Sequence, residues 1–107
     1  MDSSKDSLAE IQKFFKKKAD QRGWSDETPQ DIILFLIEEL GELAKAIRKK
    51  SGLIIDNQSK IPEIEDELAD VFNYVVHLAN QLNVDLTEIF YKKEEKNSER
   101  KWESIKE

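Results

Sequence analysis

Apolar residues in this chain return every three or four positions along most of its length, and that period commits it to helices. Leu8, Ile11, Phe14 and Phe15 follow the helical repeat until Gly23, while the two-residue alternation of a half-buried strand is nearly absent. Punctuation divides the repeat into four pieces. Ser7-Leu8-Ala9-Glu10 has the form of a capping box at the start of the first helix. Thr28 precedes Pro29, whose missing N–H is harmless in a first turn, and a second helix then runs from Gln30 to about Lys50, closed by Ser51-Gly52. The segment 53–60 has no sustained periodicity and reads as a connection. Pro62 and the acidic Glu63, Glu65 and Asp66 suit the start of a third helix reaching about Leu82, because carboxylates there face the positive end of the helix dipole. Asp85-Leu86-Thr87-Glu88 opens a fourth helix, which carries Ile89 and Phe90 and turns strongly polar from Lys92 onward. Without repeats, low-complexity stretches or linkers, this order predicts an all-α, antiparallel four-helix bundle. One domain over 1–107 is expected, frayed at 1–6 and about 103–107.

At 107 residues, folding removes only somewhat more than about 60% of the unfolded chain's surface from water, so a lone monomer is marginal. There is no Cys and one His, His77, which excludes disulfides and thiolate metal sites and disfavours zinc. The start Met1-Asp2-Ser3-Ser4-Lys5 lacks the pattern of a secretory leader, and no apolar run reaches membrane-spanning length. A cytoplasmic protein is therefore expected. A net charge of −6 speaks against a nucleic-acid polymer as partner, because phosphate contacts need clustered cations. An anionic ligand would require recruited metal ions.

Carboxylates interrupt the apolar pattern in two places. On helix two, Ile32, Ile33, Leu36, Leu40, Leu43 and Ile47 form one broad sector, and Glu39 falls inside its margin, with Glu42 just outside it one turn later. Glu38 points further toward the polar face. On helix three, Ile64, Leu68, Val71, Val75, Leu78 and Leu82 form the stripe; Glu67 lies between Tyr74 and Leu78, and Asp70 at the adjacent edge. One acidic pair at i, i+3 is ordinarily a solvated helix face. Two such pairs, each intruding on an apolar side, are harder to explain that way. Burying several carboxylates together raises their pKa values and costs many kcal/mol unless a cation is present. All-oxygen ligation suits a hard ion such as Mg²⁺ or Mn²⁺, whereas a ferritin-like iron site would want a Glu-x-x-His pair.

Glu38-Glu39-Leu40-Gly41-Glu42-Leu43, followed by Glu67-Leu68-Ala69-Asp70, resembles the EExxE…ExxD signature of MazG-like nucleotide pyrophosphohydrolases, the all-α relatives of dCTP pyrophosphatases and dimeric dUTPases. Arg22-Gly23-Trp24, Thr28-Pro29, Val84-Asp85-Leu86 and the tail Lys93, Asn97, Arg100, Trp102 extend the resemblance over roughly residues 10 to 102. It implies cleavage between the α and β phosphates of a nucleoside triphosphate, with Mg²⁺, or Mn²⁺ in its place, held by Glu39, Glu42, Glu67 and Asp70. Glu38 matches the first acid of the motif and is assigned as base or water-orienting group. Lys93, Asn97 and Arg100, at i, i+4 and i+7, share a helical face on which a charged grip on the triphosphate is expected. Trp24 and Tyr74 are candidates for the base pocket, with core or interface packing as the competing role. Phe15 stands where some relatives carry a polar side chain, and Lys49 where the dCTP branch carries an aromatic, so no base is assigned. His77 and Asn73 are read as surface or interface residues. The resemblance further implies a homodimer or homotetramer working in nucleotide-pool clean-up. Two other functions compete with it: phosphoribosyl-ATP pyrophosphohydrolase, a relative with similar acidic helices, and a non-catalytic helical interaction module.

Overall fold

The computed structural model describes residues 7–52 and 63–103. Among these, all regular structure is helical: α1 Leu8–Arg22, α2 Pro29–Lys50, α3 Ile64–Gln81 and α4 Leu86–Ser98. The expected termini 1–6 and 104–107, the connection 53–60 and Pro62 lie outside the described residues. Three helices begin where their sequences offer a capping oxygen. The Ser7 hydroxyl accepts from the Glu10 amide at 3.3 Å, Thr28 from Asp31 at 3.1 Å, and Asp85 from Glu88 at 3.1 Å. Glu63 makes no such bond before α3, where Glu65, Asp66 and Glu67 crowd the first turn and complement the dipole. α1 stops at Gly23, whose φ of +77° lets the Trp24 amide reach back to the Ala19 carbonyl at 2.8 Å. Asn83, at φ +56°, does the same after α3, with Val84 donating to Ala79 at 2.8 Å.

α3 is the centre of the molecule; α2 and α1 both pack on it, and α4 packs on α1. The pairing of residues sets direction. Along α2 and α3, Phe35 meets Tyr74 and Glu39 meets Glu67; along α1 and α3, Gln12 meets Asn80 and Phe15 meets His77, with Arg22 and Asp70 facing one cavity. Both neighbours therefore run against α3, and the consecutive helices α1 and α2 share a direction instead of forming an up-down hairpin.

A single amide ties three elements together. Gln12 of α1 donates to the Asn80 side chain at 3.0 Å and to the Val84 carbonyl at 2.8 Å, and accepts from the Leu86 amide at 2.9 Å. Asn80 returns a bond to the Gln12 carbonyl at 3.0 Å. The α3–α4 connection is thus satisfied by α1 rather than by water.

The apolar core is thin: Ala19, Ile32, Ala46, Val76 and Ala79. Three of these five are alanines, each of which removes little apolar area from water. The broad stripes read from the sequence are only partly covered. Ile33, Leu40 and Ile47 of α2 and Leu68, Val75 and Leu82 of α3 are exposed, so the apolar stripe of helix three, expected to be core, is buried only in part. A stripe that wide needs helices on two sides, and within the chain α2 has its main contact on one side only.

Candidate active site

Three of the four expected metal carboxylates converge. Glu39, Glu67 and Asp70 each offer one oxygen, and those oxygens all lie within 4.8 Å of one another. Placement follows from helix geometry: Glu39 sits on the α2 face that carries Ile32, Leu43 and Ala46, while Glu67 and Asp70 stand one turn apart near the start of α3. Glu67 is only 8% exposed, although it occupies a position where a bundle would ordinarily bury an apolar side chain.

The electrostatics of the trio set its acids against one another. The Glu39 carboxyl is pushed up to about 7, first by its hydrogen bond with Glu67, then by burial and by the charges of Glu67, Asp70 and Glu42. Asp70 is also raised, by burial and by Glu67 and Asp66. Glu67 Oε2 is buried with no hydrogen-bond partner, a condition that normally costs about 1–3 kcal/mol or more for a charged group. A divalent cation coordinated by these oxygens would remove all three penalties, and an all-carboxylate donor set fits Mg²⁺ or Mn²⁺.

The remaining expected site residues are distributed less compactly. Glu42 is half-buried one turn beyond Glu39, with the Lys45 amine 3.7 Å from its carboxylate, and it reaches the trio through its charge on Glu39. Glu38 is exposed, and its charge bears on Tyr74. α4 ends at Ser98, so Arg100 lies beyond the helix and does not share a helical face with Lys93 and Asn97. The chain leaves the helix there because the Glu99 and Arg100 amides bond to the carbonyls three residues before them. Lys93 and Asn97 instead edge an apolar groove with Leu8, Phe72, Ile89 and Phe90. The Arg100 guanidinium sits 6.0 Å over the Trp102 ring. Within one chain, none of the three lines the cavity beside the acids.

That cavity, of about 340 Å³, lies at the lower end of the range typical of small-molecule sites. Asp70 connects it to the acidic trio, and its walls are aromatic: Trp24, Tyr74, Phe15 and Phe35. Phe35 and Tyr74 stand 6.0 Å apart between ring centres, Phe15 and Trp24 6.3 Å, and Arg22 covers Trp24 at 5.0 Å. The Tyr74 hydroxyl is raised by burial and by the charges of Glu39, Glu27, Asp70 and Glu38.

His77 requires a correction. It is not at a surface or interface but 2% exposed in the cavity wall, because α1 crosses α3 at that level and lays Phe15 against the imidazole at 5.4 Å. Its Nε2 lies 3.0 Å from Glu27 Oε1. Asn73 is exposed and lines the same cavity. Glu27 and Phe35 carried no distinguishing pattern in the sequence, and Arg22 entered only within the resembling Arg22-Gly23-Trp24; packing of α1, α2 and the loop between them on α3 brings all three to the cavity.

Helices that present converging carboxylates beside an aromatic pocket define an all-α protein able to hold a hard cation next to a flat ligand. Residues 27–103 match the MazG nucleotide pyrophosphohydrolase domain, and the chain belongs to that family. It is 31% identical over 103 residues to dCTP pyrophosphatase 1 of Mus musculus, an overlap covering 92% of this chain and 61% of that protein. The human dCTP pyrophosphatase 1 is 32% identical over 89 residues, covering 78% of this chain and 52% of that protein. The chain thus spans about half to three-fifths of the length of these relatives. An uncharacterized protein of Bacillus subtilis (strain 168), YvdC, is 31% identical over 104 residues, 87% of this chain and 94% of that protein. Among the described residues, no helix is long and apolar enough to cross a membrane.

Proposed function

We propose that the protein is a Mg²⁺-dependent nucleoside triphosphate pyrophosphohydrolase, adding water across the α–β phosphoanhydride to release a nucleoside monophosphate and pyrophosphate. The observation that carries this reading is Glu67, buried with an unpartnered oxygen beside Glu39 and Asp70, in a chain of the MazG nucleotide pyrophosphohydrolase family. Glu39, Glu67 and Asp70 would hold the cation, with Glu42 completing the set. When bound, the cation neutralises the triphosphate and polarises its oxygens. The three carboxylates also fix where the phosphates meet the cavity, since Asp70 belongs to both. Trp24 and Tyr74 take the base by stacking, and Glu38, on the open side of α2, orients or deprotonates the attacking water.

Lys93, Asn97 and Arg100 are proposed to grip phosphate from a neighbouring subunit, since they stand away from their own chain's cavity. A homodimer or homotetramer is supported by the uncovered apolar strip of Leu68, Phe72, Val75 and Phe90, a surface of the kind that marks an interaction site. The absence of Cys and a nucleotide substrate suit a cytoplasmic enzyme in pool clean-up. Incubation with a panel of canonical and modified triphosphates, with phosphoribosyl-ATP among them and with and without Mg²⁺, tests the reading. Monophosphate plus pyrophosphate, dependent on Mg²⁺, is expected; diphosphate plus phosphate would refute it.

A further inference from the structure

The far wall of the cavity carries a carboxylate–imidazole pair for which hydrolysis itself has no use. His77 is almost wholly buried, with Nε2 3.0 Å from Glu27 Oε1. One turn further along α3, the Gln81 amide donates to the carbonyls of Ser25 at 2.8 Å and Glu27 at 2.7 Å. The loop before α2 is therefore fastened to α3 by three hydrogen bonds, and the Glu27 carboxylate becomes part of the cavity lining with Trp24, Tyr74 and Asn73.

A carboxylate here is electrostatically unwelcome. Asp70 of the acidic trio already lines the pocket, Tyr74 already feels the charge of Glu27, and a polyanionic ligand would add to the repulsion. Glu27 offsets that cost only if the ligand brings hydrogen-bond donors to it, because an ionised carboxylate accepts and cannot donate. The imidazole meets Oε1, and an ionised carboxylate has further lone pairs for a donor in the cavity that Glu27 lines. The surrounding aromatic walls favour a flat ring.

We propose that Glu27, oriented by His77, is the residue that selects the base, favouring cytosine and adenine, which carry an amino group at the edge where uracil and thymine carry a carbonyl. An amino group gives the carboxylate an N–H donor; a carbonyl at that edge sets acceptor against acceptor, and the imide N–H beside it is then the one donor left, displaced by one ring position. His77 is a positioning residue in this scheme, and Glu27 touches the substrate. The inference rests on the reading of the site as a nucleotide pocket.

The test uses the pair dCTP and dUTP, which differ at the edge in question, together with calorimetric binding of dCMP and dUMP, which needs no turnover. The wild-type protein should favour the cytosine member by about tenfold or more in both kcat/KM and affinity. Glu27→Gln, whose amide donates as well as accepts, should bring both ratios close to one. His77→Leu should narrow the ratio by raising KM for dCTP more than it lowers kcat, and His77→Gln, which keeps a donor, should restore part of it. Ratios indifferent to Glu27→Gln, equal preference in the wild-type protein, or no binding of either monophosphate would overturn the proposal. Glu27-dependent preference in binding without any pyrophosphate release would leave it standing and remove the hydrolase reading. Release with a ratio that ignores Glu27 would do the reverse.

Discussion

Glu67 and Leu68 are adjacent on α3, yet the carboxylate is 8% exposed and the leucine 56%. The face of α3 turned to α2 holds the acidic trio, while Leu68, Phe72 and Val75 on the other side stay exposed among the described residues. Burial by the hydrophobic effect alone would have placed them the other way round. On the proposed function, the two faces answer to different partners, the inner one to a cation and the outer one to another protein surface. The thin core of this chain makes both partners relevant to whether it folds stably.

The comparison breaks most decisively at the acids. Glu67→Gln, Glu39→Gln and Asp70→Asn are each expected to lower kcat by about 10²-fold or more, the scale seen when one preorganised electrostatic contact is lost. Thermal unfolding without metal should be unchanged or shifted upward, because each substitution removes a like charge from the trio. Turnover near the wild-type level would sink the metal role.

Metal linkage comes next. Mg²⁺ at about 100 times its dissociation constant should add about 2.7 kcal/mol of stability, and EDTA should reverse it. The sign of the pH effect follows from Glu39, raised from 4.5 to about 7. A group raised on folding contributes stability that is fully present below its unfolded pKa and lost as pH rises through its folded one. Without metal, Tm should therefore fall between about pH 4.5 and 7 as far as this group decides it. Mg²⁺ should help most above pH 7, where protons no longer compete for the oxygens. A metal-induced shift that is largest at pH 5 would contradict the assignment.

The outer face should respond differently. Leu68→Glu with Phe72→Glu should weaken self-association at least about 30-fold, as loss of an interface anchor does, with size-exclusion or sedimentation as the measurement. A wild-type protein that is a stable monomer would dispose of the interface. The smallest effect is expected for Arg100→Ala: a KM for triphosphate raised about tenfold with kcat little changed, from one lost charge-assisted contact. No change in KM would remove Arg100 from the phosphate grip.

Much of this was legible in the residues themselves. The four helices and three of their caps came from local chemistry, since Thr28, Asp85 and Ser7 need only their own next turn to act. The acidic pairs were visible because an angular position around a helix axis follows from spacing alone. The buried role of His77, the recruitment of Glu27 and the bonds of Gln12 were not, because they depend on which helix crosses which, and at what height. Periodicity carries no information about either.

By itself, then, the sequence determined that four helices form and that two of them carry carboxylates on faces otherwise apolar. The tertiary structure alone decided which of those acids meet, which stripe stays bare, and that a loop glutamate joins a buried imidazole at the cavity wall. The physical reason is one of range: helix bonds and caps act within a turn of the chain, whereas Glu39 and Glu67, or Glu27 and His77, are neighbours only through packing.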